Sequence, residues 1–220
     1  MLLDCKPGSS IIAFKPVSAG AMTTYKLTYF NMRGRAELAR YIFAYANIDF
    51  EDDRVEWKDW PSIKDSFPLG QLPVLEVNGI ALTQSLAIAR YLAKEAGLLG
   101  NNNLEEAQTN SLVDTLNDFT LAIPWREAHP ETKAQKIDQL FQSNAPLLLD
   151  HLQWHLGDRK WLVGNSMTWV DLYWHVCFTT FNVLRPGFTD HHPTLCALIK
   201  RLEEVPSLAR WIQSRPETEF

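Results

Sequence analysis

The sequence predicts a mixed α/β domain over residues 25–97, followed by an all-helical domain over residues 104–220. Three observations favour this division. Short runs with strand composition alternate with helically spaced segments only in the first part of the chain. An Asn78-Gly79 pair, a strong tight-turn signal, joins two of these runs. From Leu104 onward the apolar residues follow helical spacing, and no strand run stands out.

In the first domain the predicted elements follow the order strand, helix, strand, then strand, strand, helix. Residues 57–67 should form a loop with a short helix that Pro61 breaks, and Gly97 is a typical helix stop. The order predicts a mixed four-stranded sheet with helices on both faces, which is the thioredoxin-like layout. The strands are predicted at 25–30, 49–55, 73–77 and 80–83, and the helices at 34–46 and 85–96.

Residues 98–103 are typical of a linker, and the second domain follows it. Its two longest helical stretches each carry one proline, Pro124 or Pro146, that should kink the helix. A later segment is apolar on all sides, which predicts a buried helix. The helices of this domain are predicted at 104–127, 131–156, 168–184, 193–204 and 207–214.

Thr168 and Asp171 give the strongest local folding signal in the helical domain. Thr168 can cap the buried helix while Asp171 reaches back to the Thr168 N–H, which is a capping box. A buried Asp171 could also be taken for a catalytic acid. Capping explains both residues, so we favour the structural interpretation.

Composition and charge argue against several classes of function. The 220 residues carry a net charge of −5 without a basic stripe, so nucleic-acid binding has little support. No apolar run approaches the roughly 20 residues that a membrane span requires. Cys5, Cys177 and Cys196 form no CxxC pair and no disulfide-rich pattern, which favours a reducing compartment. We therefore expect a cytoplasmic protein.

Residues 1–24 differ from the rest of the chain. Pro, Gly and Ser are scattered through them without a sustained period. Their short apolar patch and the acid at Asp4 do not fit a signal peptide. We expect a disordered extension, within which Met22 is a candidate start of a shorter product.

Tyr29 ends the first predicted strand, just before a helix that starts near Gly34. A free thiol titrates near pH ~8.5, so little thiolate is present at neutral pH. A neutral hydroxyl donor, a helix N-terminus and a nearby cation each stabilise the anion. Tyr29, this helix and Arg35 could supply all three. Taken alone, Tyr29 could equally be a core residue, as could Tyr25 and Phe30.

A resemblance to a known family rests on three segments of the first domain. They read YKLTYFNMRGRAELARY (25–41), GQLPVLEVNG (70–79) and TQSLAIARYLA (83–93). Together they resemble the N-terminal domain of the cytosolic glutathione transferases, and their residues are similar to those of the sigma class. Redox-active thioredoxin-like domains carry CxxC at the first strand–helix turn, and this chain does not. Any thiol activated here must arrive with the ligand.

The resemblance implies a glutathione site in which Tyr29 activates the sulfur and Arg35 supports the anion. It also implies a cis peptide before Pro73, with the Leu72 backbone bound to the ligand. Ser85 would hold a carboxylate at a helix N-terminus, although without a ligand it is an ordinary cap. The implied site comprises Tyr29, Arg35, Trp60, Lys64, Gln71, Leu72, Pro73, Gln84 and Ser85. Related chains commonly have lysine at the Gln71 position, so the missing charge should weaken carboxylate binding.

The resemblance further implies that the helical domain forms the pocket for an electrophile. The stretches around Trp125, across 161–180 and near the end of the chain are similar to the prostaglandin-isomerising members of the family. Those members convert prostaglandin H2 to prostaglandin D2 with glutathione. The implied pocket residues are Met32, Trp125, Tyr173, Cys177 and Phe220. Core filling remains open for Trp125, and a buried structural role remains open for Cys177.

Two alternative functions remain open at this point. One is a sigma-class detoxifying transferase without a prostaglandin role. The other is a non-catalytic ligand-binding or structural relative, of the kind found in lens. An intact Tyr29, Arg35, Leu72-Pro73 and Gln84-Ser85 argue against the second alternative.

The resemblance also implies a homodimer with Mg²⁺ or Ca²⁺ at its interface. Asp114, Asn117 and Asp118 lie at i, i+3 and i+4, so they share one helix face. Related chains carry three aspartates there. Asn117 removes one charge from a set that should favour carboxylate oxygens, so we expect weaker metal binding. Polar residues on a solvated face are an equally good interpretation.

Overall fold

The computed structural model describes residues 23–220 of the chain, and its N-terminal part is built on one sheet. The strands are β1 (Tyr25–Phe30), β2 (Glu51–Val55), β3 (Val74–Val77) and β4 (Ile80–Thr83). Their order across the sheet is β2-β1-β3-β4. β1 pairs in parallel with β2 and antiparallel with β3, which pairs antiparallel with β4. The predicted mixed four-stranded sheet is confirmed. Most of the predicted disordered extension, with Cys5 and Met22, lies outside the described residues.

The helices follow the predicted division into a mixed and a helical part. They are α1 (Glu37–Ala46), α2 (Trp60–Ile63), α3 (Ser85–Glu95), α4 (Asn103–Ala122), α5 (Pro130–Ser143), α6 (Ala145–Leu156), α7 (Trp169–Leu184), α8 (Pro193–Glu203) and α9 (Pro206–Ser214). α1 and α3 pack against each other and both contact α7. The two long helices of the α/β part therefore lie side by side, and the expected covering of both sheet faces by helices stays a prediction. Among residues 23–220, no helix combines the length and the apolar character needed to cross a bilayer.

Three prolines act differently from the prediction. α4 ends at Ala122, and Ile123 is extended, because the ring of Pro124 disfavours helical backbone at the residue before it. Pro146 lies in the first turn of α6, so the single helix predicted over 131–156 is two helices. Pro61 lies in the first turn of α2 and does not break it. A first-turn proline is tolerated because no intrahelical partner exists for an N–H there.

The buried helix α7 begins with the predicted capping box. The Thr168 N–H donates to Asp171 Oδ2 over 2.8 Å, and the Leu162 N–H donates to Asp171 Oδ1 over 2.8 Å. Burial raises the pKa of Asp171 to about 6, against the lowering effect of the hydrogen bonds that it accepts. Both carboxylate oxygens are used in holding the start of α7, which supports the structural interpretation.

A buried polar network fixes α1 against the helical part. Tyr41 Oη lies 3.1 Å from His175 Nδ1 on α7. Glu37 is 1% exposed, and its Oε1 accepts hydrogen bonds from Trp211 Nε1 (2.9 Å) and Arg215 Nη1 (2.7 Å). A buried carboxylate of this kind is stable only when such donors surround it. The network holds the loop before α1 in a fixed position relative to the C-terminal residues.

Candidate active site

The Tyr29 hydroxyl lies at the junction between β1 and the helical turn Gly34–Ala36 that leads into α1. The side chain is 6% exposed, and its oxygen accepts a hydrogen bond from the Arg35 N–H over 3.2 Å. Burial raises the pKa of Tyr29, while the Arg35 N–H and the charges of Arg35 and Arg40 oppose that rise. Tyr29 is therefore a neutral phenol at physiological pH. Because its oxygen accepts from the backbone, its own proton remains free to be donated.

The position of this hydroxyl leaves room only for a glycine at residue 34. Its φ is +41°, and a Cβ added at Gly34 would lie 2.7 Å from Tyr29 Oη. Any side chain would therefore meet the phenol as well as strain the backbone. Arg40 also holds this loop, because its Nη1 donates to the Met32 carbonyl over 2.7 Å. Its Nε donates to Asp52 Oδ1 over 2.9 Å, which links the loop to β2. The hydroxyl position is thus determined by backbone that cannot move freely.

A small pocket lies beside this loop, at the start of α3. The Leu72-Pro73 peptide is cis, and Pro73 directly precedes β3, which starts at Val74. Gln84 has φ +71°, a rare value for a residue other than glycine, and directly precedes Ser85 at the helix N-terminus. The pocket is lined by Arg35, Pro68, Leu69, Gln71, Leu72, Pro73, Thr83, Gln84 and Ser85. The start of an 11-residue helix and one arginine face the same space, which suits an anionic ligand.

Two predicted glutathione-site residues do not line this pocket or the larger cavity described next. Measured between ring centroids, Trp60 packs edge-on against Phe30 at 5.3 Å and in a tilted arrangement against Phe67 at 5.7 Å. The Lys64 stem lies over Gly70, with Cε 3.0 Å from where a Cβ would be. Both residues therefore support the loop next to the pocket in this single chain.

A cavity of about 600 Å³ opens next to the small pocket and shares Arg35, Gln84 and Ser85 with it. Tyr29 is part of its wall. All five predicted pocket residues, Met32, Trp125, Tyr173, Cys177 and Phe220, also line it. Its size matches the range of sites for small organic ligands. The phenol therefore lies in the wall of the larger, mainly apolar cavity and is hydrogen-bonded to Arg35, which lines both pockets.

Trp125 and Phe220 form one aromatic side of the cavity. Their rings meet edge to face at 5.5 Å, and Trp125 Nε1 donates to the Thr120 carbonyl over 3.0 Å. The Arg33 N–H donates to the Phe220 carbonyl over 2.7 Å. The C-terminal residues are thereby attached to the same loop that carries Gly34. Trp125 is 39% exposed, so it lines the cavity and does not fill the core.

The floor of the cavity is formed by α4 and α7. Burial raises the pKa of Cys177 to about 12, and its Sγ lies 3.8 Å from Thr120 Oγ1. Burial also raises the pKa of Tyr173, whose hydroxyl donates to Asn117 Oδ1 over 3.5 Å. Both groups stay protonated, so Cys177 cannot act as a thiolate nucleophile at neutral pH.

Several cavity residues were not predicted from the sequence. Trp57, Phe30 and Leu38 line it from the α/β part, and Thr120, Val176 and Thr180 line it from α4 and α7. Phe30 was considered only as a packing residue. Trp57 stacks on Phe30, which lies 27 positions away in the sequence, so no local pattern predicts its place in the cavity wall.

The structure gives two of the three residues predicted to bind a metal other partners and leaves the third in solvent. Asp114 Oδ1 lies 3.8 Å from Arg90 Nη2, Asn117 accepts from Tyr173, and Asp118 is exposed. Over residues 23–220, no three His, Cys, Asp or Glu side chains are grouped so that they could hold an ion. The donor set of a single chain does not fit a tightly bound metal, and no chemical step is assigned to one.

The sequence matches two family models and several known proteins. Residues 25–94 match the model of the glutathione S-transferase N-terminal domain, and residues 114–215 match that of the C-terminal domain. Human hematopoietic prostaglandin D synthase is 50% identical over 90% of this chain and 100% of its own length. Glutathione S-transferase S1 of Drosophila melanogaster is 36% identical over 89% of this chain and 80% of its own length.

Solved structures agree with the sequence comparison. The structure of the rat hematopoietic prostaglandin D synthase with a quinoline has a TM-score of 0.86 and 48% identity, over 90% of this chain and 100% of that one. A glutathione S-transferase from Ascaris lumbricoides has a TM-score of 0.80 and 37% identity over the same shares. With both domain models matched and the Tyr29 hydroxyl in the wall of the cavity, the chain belongs to the glutathione S-transferase family.

Proposed function

We propose that this protein uses glutathione to isomerise prostaglandin H2 to prostaglandin D2, and that it also transfers glutathione to other electrophiles. The observation that carries the proposal is the Tyr29 hydroxyl, held by the Arg35 N–H at 3.2 Å and facing a cavity of about 600 Å³. Relatives named hematopoietic prostaglandin D synthase, at 48–50% identity, support the choice of lipid.

Tyr29 is the group proposed to activate the thiol. Its proton is free, its oxygen is fixed, and its burial keeps the hydrogen bond in a low-dielectric setting where it is stronger than in water. A donated hydrogen bond favours the thiolate, and the Arg35 charge acts in the same direction. Each unit by which the thiol pKa falls corresponds to about 1.4 kcal/mol. Tyr29 acts as a donor and is not required to ionise.

The small pocket is proposed to hold the glutathione backbone and carboxylates. Leu72 would offer its N–H and C=O beside the cis peptide, and Ser85 would bind a carboxylate at the start of α3. Gln71 lines the pocket and can give a hydrogen bond to the other carboxylate, without a charge. Trp60 and Lys64 are proposed to act at the edge of the site, through the loop that they support. The strained Gln84 is consistent with a backbone shaped for a ligand.

Bound glutathione supplies a thiolate that opens the endoperoxide at one oxygen and is released when the ketone forms. The cavity residues have the task of orientation. Met32, Trp125 and Phe220 give an apolar surface for the lipid chains, and Tyr173 and Cys177 form a protonated floor that adds no competing nucleophile. Tyr29 holds the reacting sulfur at the end of the cavity where the ring of the substrate would lie.

Product analysis separates the proposed function from the two alternatives. Prostaglandin H2 is incubated with the purified protein, with and without glutathione, and the products are identified by mass spectrometry. The proposal expects prostaglandin D2 as the main product only when glutathione is present. The spontaneous product mixture, together with aryl halide conjugation, would indicate a detoxifying transferase. The spontaneous mixture without any conjugation would indicate a non-catalytic relative.

A homodimer is proposed as the working assembly. Leu69, at the edge of the small pocket, is 78% exposed and has φ +57°. A second copy of the chain packed at this position would bury the exposed apolar side chain of Leu69. Weak Mg²⁺ or Ca²⁺ binding by Asp114, Asn117 and Asp118 is proposed only for the dimer. The proposed site of action is the cytoplasm, because Cys177 and Cys196 are free thiols and thiols stay reduced in that compartment.

A further inference from the structure

Trp57 is the most exposed aromatic residue of the large cavity wall. The indole is 62% exposed, yet it stacks on Phe30 with centroids 3.8 Å apart and planes at 11°. One face of the indole therefore covers Phe30, and the rest of the ring remains available at the cavity. Neither residue has a part in the thiol activation described above.

The backbone around Trp57 is fixed without help from the indole. The Glu56 carbonyl accepts the N–H groups of Asp59 (3.0 Å) and Trp60 (3.2 Å), which closes a turn after β2. Asn31 Nδ2 donates to Glu56 Oε1 over 3.2 Å and links this turn to the loop after Tyr29. Trp57 is thus carried by a hydrogen-bonded turn that is linked through Asn31 to the loop after Tyr29.

Phe30 connects this indole to the candidate thiol site. The rings of Tyr29 and Phe30 lie 5.5 Å apart at 64°, and Phe30 is then stacked on Trp57. The three rings form a continuous aromatic strip that starts beside the sulfur position and ends at the cavity mouth. The other aromatic pair, Trp125 and Phe220, belongs to the helical part of the chain.

We infer that Trp57 and Phe30 form an aromatic subsite, which binds a flat aromatic or conjugated group that an electrophile carries beyond its reacting atom. The inference rests on the proposed function, since Tyr29 defines where the sulfur lies. A flat group can stack on the open part of the indole, and aromatic contacts prefer such offset arrangements. A small electrophile that reacts beside Tyr29 does not extend to Trp57 at the far end of the strip, so the subsite favours substrates that carry an additional flat group.

Two glutathione derivatives test the subsite directly. S-methylglutathione occupies only the glutathione position, whereas S-naphthylmethylglutathione adds a flat bicyclic group at the sulfur. Their dissociation constants are measured by isothermal titration calorimetry for the wild type, Trp57→Ala and Trp57→Phe. Trp154→Ala is the matched control, because Trp154 is an exposed tryptophan (75%) on α6 that does not line the cavity.

The subsite predicts that Trp57→Ala weakens binding of the naphthylmethyl derivative by roughly threefold to tenfold, the usual value of one aromatic contact. Binding of S-methylglutathione should stay unchanged, which also shows that the variant is folded. Trp57→Phe should restore most of the loss, and Trp154→Ala should behave as wild type. Unchanged or equally weakened binding of both derivatives in Trp57→Ala would overturn the inference. Failure of wild-type protein to bind S-methylglutathione would instead overturn the proposed function.

Discussion

At the scale of single residues, the site depends on how little freedom surrounds the Tyr29 hydroxyl. Its oxygen is bound to the Arg35 N–H, and Gly34 leaves just enough space for it. A phenol held in this way can donate to a sulfur without first losing a hydrogen bond to water. Fixing a donor before the reaction is the main way in which proteins stabilise developing or existing anions.

Gly34→Ala should lower kcat/KM for glutathione conjugation to an aryl halide by roughly tenfold to a hundredfold. The new Cβ would lie 2.7 Å from Tyr29 Oη, so either the phenol or the loop must move. Gly79→Ala is the matched control, since Gly79 has φ +79° but nothing within 4 Å of an added Cβ. Equal losses in the two variants would mean that backbone strain, and not the contact with Tyr29, explains the effect.

Single residues were predictable where a short segment of sequence determines their position. Tyr29 and Arg35 are separated by one turn, and Ser85 starts a helix, so their places follow from local structure. Trp60 and Lys64 were assigned to the pocket, but their positions depend on how a loop folds onto Phe30 and Gly70. Trp57 was missed for the same reason, because its stacking on Phe30 is a tertiary contact.

At the scale of elements, the helices show where sequence rules act strongly. The capping box at α7 and the turn at Asn78-Gly79 were predicted because their hydrogen bonds are local. The helix breaks near Pro124 and Pro146 were predicted as kinks. The chain can either kink or end a helix at a proline, and the choice depends on the packing around it. α4 ends there, and Trp125 lines the cavity just beyond its end.

Asp171→Asn should destabilise the fold by about 1–3 kcal/mol near neutral pH, because an amide cannot accept at both positions that face the Leu162 and Thr168 N–H groups. The pKa of Asp171 is raised to about 6 in the folded chain from an ordinary value of 3.8. Its protonation therefore adds stability that is complete below about pH 4 and is lost as the pH rises through about 6.

Urea unfolding of both proteins across this pH range measures the effect. The difference between wild type and Asp171→Asn should grow in favour of the wild type as the pH falls, by on the order of 3 kcal/mol. Other titrating groups cancel in this difference. A difference that stays constant with pH would show that Asp171 has an ordinary pKa in the folded chain.

The helix face that carries Asp114, Asn117 and Asp118 gives a second prediction at this scale. Mg²⁺ binding to the wild type should be weak, and Asn117→Asp should strengthen it by about tenfold, since a hard cation gains a carboxylate. Isothermal titration calorimetry of the two proteins checks this. Equal affinities would show that the charge at Asn117 has no effect on metal binding.

At the scale of the whole molecule, the cavity exists because two structural units are held together. Glu37 and Tyr41 on α1 contact Arg215, Trp211 and His175 of the helical part. The same contacts keep Phe220 beside Arg33 and the Tyr29 loop. The fold class and the mixed four-stranded sheet were predictable from the alternation of strand and helix signals, but the strand order was not predicted. The shape of the cavity was not, because it depends on side chains from six separate segments.

Leu69→Lys tests the proposed assembly. A charged side chain at this exposed position cannot be buried against a second copy without a large cost. Wild-type protein should sediment as a dimer and the variant mainly as a single chain at the same concentration. Trp154→Lys is the control on a different surface and should remain dimeric. Sedimentation of the wild type as a single chain would contradict the dimer.

The pH titration of the glutathione thiol in its complex with this protein tests the central claim most directly. The ultraviolet absorbance of the thiolate is followed in the wild type and in Tyr29→Phe. A hydroxyl that donates to the sulfur should lower the thiol pKa by about one to three units, and removing it should return the value most of the way to that of free glutathione. The same depressed value in both proteins would mean that another group stabilises the anion, and the role given to Tyr29 would be wrong.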